Sequence, residues 1–256
     1  MSTALRQRST AETPPAIARQ AAPNEKVHLP RRGMRASRGA PTGDSLTAAQ
    51  GGRGIERLCA GAIVLRRFAA EAAPALVRAV GEIAAQAPFR HMVTPGGNRM
   101  SVAMTNCGHA GWVTDRSGYR YVAYDPETGL PWPAMPELLR DLAVRAAACG
   151  GFPGFAPDAC LINRYEPGTR LTLHQDRNER DFSAPIVSVS LGLPARFLFG
   201  GPRRTIRPRP VWMASGDVAV WGGPARLFFH GVDRLPDGVD PLTGRCRINL
   251  TFRKAL

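Results

Sequence analysis

The sequence predicts an α+β fold that is mainly β: a jelly roll of two sheets backed by helices that precede it in the chain. Three observations predict it. Two stretches with helical periodicity come first, each with a proline at its start and the second with a glycine pair as its stop. Eight short strand patterns then follow one another to the C-terminus, separated by Gly- and Pro-bearing turns. Several of those strands alternate hydrogen-bonding with aliphatic residues, the lining expected of a polar cavity inside a small barrel. With 256 residues the chain is long enough to bury such a core.

In chain order, residues 1–54 are rich in Ala, Ser, Thr, Gly, Pro and Arg and have no periodicity, which predicts an unstructured basic extension. Met34 within it stands as an alternative start. The folded region is expected over 55–256. Ala62-Ile63-Val64-Leu65 reads as a buried strand. Glu71 to Gln86 reads as a helix with Pro74 in its first turn and Leu76, Val80 and Ile83 on its inner face. Residues 92–133 change character. Strands are expected at Met100–Met104 and Tyr119–Tyr124, with a turn at Asp125-Pro126-Glu127-Thr128-Gly129. Trp112, Tyr119, Tyr121, Tyr124 and Trp132 concentrate there among Arg99, Arg116 and Arg120. Aromatics interleaved with cations suit base stacking; core aromatics of a small sheet are the plainer reading.

Pro136 opens a second helix with Leu138, Leu139, Leu142 and Ala146 inward, stopped by Gly150-Gly151. The strands expected after it are Ala159–Tyr165, Leu171–His174, Ile186–Leu191, Arg196–Phe199, Val211–Met213, Asp217–Trp221, Leu227–His230 and Cys246–Arg253. The last carries Arg247, Asn249, Thr251 and Arg253 on one face and Ile248, Leu250 and Phe252 on the other. If the polar face turns inward, its arginines need an anion, because a buried guanidinium is costly alone. If it turns outward, the strand is an edge in water.

The formal net charge is +14. Residues 1–55 hold nine Lys/Arg against three Asp/Glu, so an excess of eight remains for the rest and the folded part is itself basic. Such a field favours polyanions, nucleic acid above all. Five scattered cysteines without a C-x-x-C pair predict reduced thiols in a cytoplasmic setting. No apolar run is long enough to cross a bilayer.

His174-Gln175-Asp176 presents an imidazole and a carboxylate on one strand face. His230, after the run Leu227-Phe228-Phe229, offers a third ligand. Two histidines and one carboxylate suit non-haem Fe(II); they also fit a zinc hydrolase, which leaves the arginines of the last strand without a purpose.

The local sequence carries a resemblance. Asn163-Arg164-Tyr165, His174-Gln175-Asp176, Pro185–Gly192 and Arg247-Ile248-Asn249-Leu250-Thr251-Phe252-Arg253, with the earlier Met92–Gly97 and Met100–Gly108, resemble the bacterial AlkB-type Fe(II)/2-oxoglutarate dioxygenases, from about Ile55 to Arg253. The resemblance implies a double-stranded β-helix core over about 159–253 and a nucleotide-recognition β-subdomain over about 92–133. It implies that His174, Asp176 and His230 hold Fe(II). Asn163, Tyr165, Ser188, Arg247, Asn249 and Arg253 would hold 2-oxoglutarate, with Arg253 on its far carboxylate. O2 is the other cosubstrate. Trp112, Tyr119, Tyr121, Asn178 and Arg204 would contact the substrate. The implied reaction is oxidative demethylation of alkylated DNA bases such as 1-methyladenine and 3-methylcytosine, with succinate, CO2 and formaldehyde as products. Single strands are favoured, RNA is a further substrate, no membrane is involved and a monomer is expected. The alternatives are an oxygenase of the same chemistry acting on a protein or small molecule, and a basic binding barrel without chemistry. One position departs: Asn178 stands where the family has an aspartate that contacts the substrate, so a weaker preference for cationic bases, or a shifted substrate range, is expected.

Overall fold

The computed structural model describes residues 54–256; the extension expected over 1–54 lies outside the described residues except for Gly54. The strands are β1 (Gly54–Cys59), β2 (Ala62–Arg66), β3 (Ala103–Gly108), β4 (Gly111–Asp115), β5 (Gly118–Val122), β6 (Ala159–Tyr165), β7 (Leu171–His174), β8 (Ile186–Gly192), β9 (Ala195–Phe199), β10 (Arg209–Met213), β11 (Val218–Trp221), β12 (His230–Val232) and β13 (Arg247–Arg253), with helices α1 (Ala73–Gln86) and α2 (Glu137–Cys149). A seven-stranded sheet runs β1-β2-β11-β8-β13-β6-β3, and a four-stranded sheet runs β10-β9-β12-β7. β4 and β5 form a separate hairpin. Every ladder between named strands is antiparallel.

The period-two pattern assigns each strand's faces. On β13, Ile248, Leu250 and Phe252 join Leu76, Ile83, Leu139 and Leu142 in the core beneath the two helices. On β2, β8 and β11, Ala62, Val64, Ile186, Ala219 and Trp221 face the other way and pack on Phe197, Phe199, Val211 and Met213 of the small sheet. The space between the sheets is thus apolar at the β9–β10 end. At the β6–β13 end, Asn163, Arg247, Asn249 and Arg253 line a cavity. β13 sits between β8 and β6, so all seven of its residues are buried, and it is not an edge.

Most expected elements lie where the pattern places them, and the differences have local causes. α1 starts at Ala73 rather than Glu71, because residues 67–72 form turns in which the Ala69 amide bonds to the Gly216 carbonyl. Leu138 is exposed and the inner face of α2 is instead Leu139, Leu142, Ala143, Ala146 and Ala147. The strand expected over Met100–Met104 is displaced to β3, and β1 and β4 were unassigned. Leu227–Phe229 is not a strand: a 3-10 turn, Gly223–Ala225, precedes it, and β12 begins at His230. Cys149 is exposed, whereas Cys107 and Cys160 are buried.

The β4–β5 hairpin is tied down from two sides. Buried Asn106 on β3 donates to the Trp112 carbonyl and accepts from the Trp112 amide, both at 3.0 Å. Trp132 packs beneath Gly111, where any Cβ would fall 2.3 Å from the indole. Glycine at 111 is therefore needed for that approach.

Truncating Leu250, which is fully buried, should cost about 2–5 kcal/mol as a large-to-small core change. Urea unfolding of Leu250→Ala checks this, with an unchanged denaturant slope expected.

Candidate active site

Pairing of β7 with β12 sets His174 directly opposite His230, with ring centroids 4.4 Å apart. Gly231 permits the approach: a Cβ there would lie 2.6 Å from the Leu171 carbonyl oxygen. The chain leaves β7 extended, so Asp176 reaches the same point. Nε2 of His174 is 3.7 Å from Asp176 Oδ1, and Nε2 of His230 is 3.7 Å from Oδ2. Those separations are too long for hydrogen bonds. The other ring nitrogens are occupied. Nδ1 of His174 lies 2.8 Å from the Thr172 carbonyl oxygen, and Nδ1 of His230 lies 3.0 Å from that of Phe228. A carbonyl only accepts, so each Nδ1 carries a proton, and in a neutral imidazole Nε2 then presents a lone pair. Burial, reinforced by neighbouring His174, pushes the His230 imidazole down to about 4, so it is neutral at pH 7. Burial raises the pKa of the Asp176 carboxyl, but Arg253, His230 and His174 outweigh it and hold the group below the usual carboxylate range.

The three ligand atoms lie within 4.8 Å of one another. Two lone pairs and a carboxylate with no proton between them repel unless a cation joins them. Two nitrogens and one oxygen, with open positions facing a cavity of about 470 Å³, fit Fe(II) better than a closed structural site.

Asp176 is held from behind. Arg253 donates to its Oδ2 from Nη2 at 2.7 Å and from Nε at 2.9 Å. Buried Arg226 donates to the Asp176 carbonyl at 2.9 Å, to Glu179 at 3.2 Å and to the Ala184 carbonyl at 3.0 Å. Glu179 also accepts from the Tyr121 hydroxyl at 2.7 Å. The aim of Asp176 is therefore fixed before any metal arrives.

Arg247 is different. Its guanidinium is 2% exposed, lies 5.1 Å over the Tyr165 ring and donates to Ser190 at 2.9 Å. Its Nε and Nη1 have no partner, nor has Oδ1 of Asn163. Burial lowers its pKa, with Tyr165 opposing the shift. No carboxylate pairs with it among the described residues, so the cavity offers an anion site there. Arg253, on which the resemblance puts the far carboxylate of 2-oxoglutarate, is paired with Asp176 and Glu179, while Arg247 is the one of the two without a carboxylate among the described residues. Ser188 and Asn249 line the same cavity, joined by a 2.8 Å hydrogen bond, and Thr251 closes the row by donating to Asn249 at 2.9 Å.

At the mouth, Trp112 and Tyr119 stack at 5.7 Å with planes 20° apart, beside Asn178. Two further residues expected to contact the substrate have partners within the protein. Tyr121 points to Glu179, and Arg204 donates to the Leu173 carbonyl at 2.6 Å, next to His174. Reading the sequence missed Glu179, Arg226, Ser190 and Thr251. Alternation on β13 pointed to Thr251 and alternation on β8 to Ser190; nothing local links Glu179 to Arg226, which meet only in the fold.

Comparison with known proteins places these residues in context. The model of the 2OG-Fe(II) oxygenase superfamily matches residues 61–253. The chain is 59% identical over 200 residues to the alpha-ketoglutarate-dependent dioxygenase AlkB of Escherichia coli, covering 78% of this chain and 93% of that protein. It is 39% identical over 134 residues to the nucleic acid dioxygenase ALKBH1 of Mus musculus, covering 50% of this chain and 33% of that one. Among solved structures, OsALKBH1 superposes with a TM-score of 0.70 at 28% identity, over 78% of this chain and all of that one.

If these three side chains hold the metal, Asp176→Ala should lower affinity for Fe(II), or for Mn(II) as an oxygen-stable substitute, by about 100-fold or more; loss of an outer partner alone costs roughly 10–100-fold. Titration calorimetry under nitrogen reads this directly.

Proposed function

The chain belongs to the AlkB family of the 2OG-Fe(II) oxygenase superfamily, and from that premise we propose that its lesions are N-methylated bases of the 1-methyladenine and 3-methylcytosine type, taken from single strands in preference to duplex. The protein is an Fe(II)- and 2-oxoglutarate-dependent dioxygenase that removes alkyl groups from DNA bases by oxidation. One observation carries the reading. A lone-pair triad and a buried guanidinium lacking a carboxylate line one cavity, beneath a stacked aromatic pair.

In this reading His174, Asp176 and His230 bind the metal through Nε2, a carboxylate oxygen and Nε2. When bound, Fe(II) with 2-oxoglutarate and O2 supplies the oxidant that hydroxylates an N-methyl carbon, after which the base sheds formaldehyde. Arg247 grips the far carboxylate of 2-oxoglutarate as a guanidinium fork, with Tyr165 and Asn163 beside it. Ser188 and Asn249 shape the wall, and Arg253 holds Asp176 in line. A methyl on the Watson–Crick edge is out of reach in a duplex, so the base must be flipped or already unpaired. Trp112 and Tyr119, the latter 47% exposed, receive its face. A protein or small-molecule substrate needs no such ledge, which favours nucleic acid over that alternative. The basic surface supplies backbone affinity for DNA and RNA alike. Residues 55–256 form the oxygenase domain, with 92–133 its nucleotide-recognition region, and the enzyme acts as a cytoplasmic monomer. No described helix is long and apolar enough to cross a membrane.

Incubation with Fe(II), 2-oxoglutarate and methylated single-stranded DNA should release succinate and formaldehyde in equal amounts. His174→Ala should release neither. Equal turnover of matched duplex and single strands would remove the strand preference, and no formaldehyde from any methylated strand would remove the substrate class. Arg247→Gln should raise the KM for 2-oxoglutarate by about tenfold or more, as loss of a charge-assisted pair, while Mn(II) affinity stays within twofold of the parent.

A further inference from the structure

Asn178 lies at the cavity mouth with both ends of its amide engaged. Its Oδ1 accepts from Trp112 Nε1 at 3.3 Å, and its Nδ2 donates to the Tyr119 carbonyl at 3.4 Å. Trp112 and Tyr119 are the stacked pair, and they come from opposite strands of the β4–β5 hairpin. The main chain of Trp112 is already fixed by Asn106 on the far side. One residue two positions after Asp176 thus reaches across to hold the indole of one strand and the backbone of the other.

We propose that Asn178 is a positioning residue: its amide straps Trp112 to Tyr119, so that the base-stacking ledge stands at a set height above the metal before substrate arrives. This rests on reading Trp112 and Tyr119 as the stacking pair. The residue type matters because the two bonds have opposite polarity. The indole N–H needs an acceptor and the Tyr119 carbonyl needs a donor, and an amide is both. An aspartate keeps the first and sets a carboxylate against a carbonyl in the second. With one lone pair of Oδ1 and one N–H so occupied, Asn178 keeps a second acceptor lone pair but carries no charge to offer a cationic base. The carboxylates adjoining it in the chain are committed: Asp176 to Arg253, and Glu179 to Arg226, Arg253 and Tyr121. The ledge then selects flat bases by stacking, and charge on the base is secondary.

The test compares steady-state kinetics on two single strands, one with a cationic N-methyladenine and one with an uncharged N-methylthymine. Both bonds are long and partly exposed to water, so the effect should be modest. Asn178→Ala should raise KM for both strands by roughly two- to fivefold, the scale of one neutral hydrogen bond, with kcat nearly unchanged because the metal ligands are untouched. Asn178→Asp should also raise KM for the uncharged base. In a Trp112→Phe background, which keeps a ring and removes the N–H, the Asn178→Ala penalty should shrink, since the two changes then share one interaction. Unchanged KM for the uncharged base in both Asn178 variants overturns the strap, as do additive effects of Asn178→Ala and Trp112→Phe. Trp112→Ala separates the two levels. If it leaves KM for the methylated strands unchanged, the stacking reading falls and the strap with it. If it raises KM while Asn178→Ala does not, only the strap falls.

Discussion

Taking a guanidinium out of water without an anion to meet it is costly, and among the described residues three are buried. Arg226, Arg247 and Arg253 are each 5% exposed or less. Their answers differ, and the site follows from the difference. Arg253 has Asp176 and Glu179, and Arg226 has Glu179 and two main-chain carbonyls. Arg247 has a hydroxyl, an aromatic face and no carboxylate among the described residues. Two of the three cations hold the metal carboxylate and its loop in place. The third has no carboxylate among the described residues, and in the proposed reading 2-oxoglutarate would supply its counter-anion.

The polar interior is tolerable because apolar packing surrounds it. β13 presents aliphatic and aromatic residues to the helices and its cation row to the cavity, so one strand contributes to both the main core and the site. At the other end of the sandwich, Trp221, Phe197 and Phe199 fill the space between the sheets with apolar contact and abut His230. His230 is kept neutral by that burial, the state a metal-binding imidazole requires.

The segment from His174 to Glu179 joins the two halves of the reaction. His174 and Asp176 belong to the proposed metal triad, Asn178 reaches the stacked aromatics and Glu179 receives the Tyr121 hydroxyl.

Strand and helix patterns, the polar–apolar alternation of β13, and the trio of His174, Asp176 and His230 were legible in the sequence; that the polar face of β13 turns inward was not. Each legible feature is a local periodicity or a short motif, and local sterics fix which side of a strand a residue occupies. The interior partners were not legible either. Nothing near Arg226 in the chain announces Glu179, and nothing near Arg247 announces that it, rather than Arg253, is left without a carboxylate. Asn178, Tyr121 and Arg204 were identified as substrate contacts by resemblance, while in the fold each bonds to a neighbour 31 or more residues away. The sequence by itself determined which residue types could do the chemistry and on which faces they would lie. Only the tertiary structure decided which charge meets which, since pairing among buried polar groups depends on strand register and loop closure across distances that no local pattern encodes.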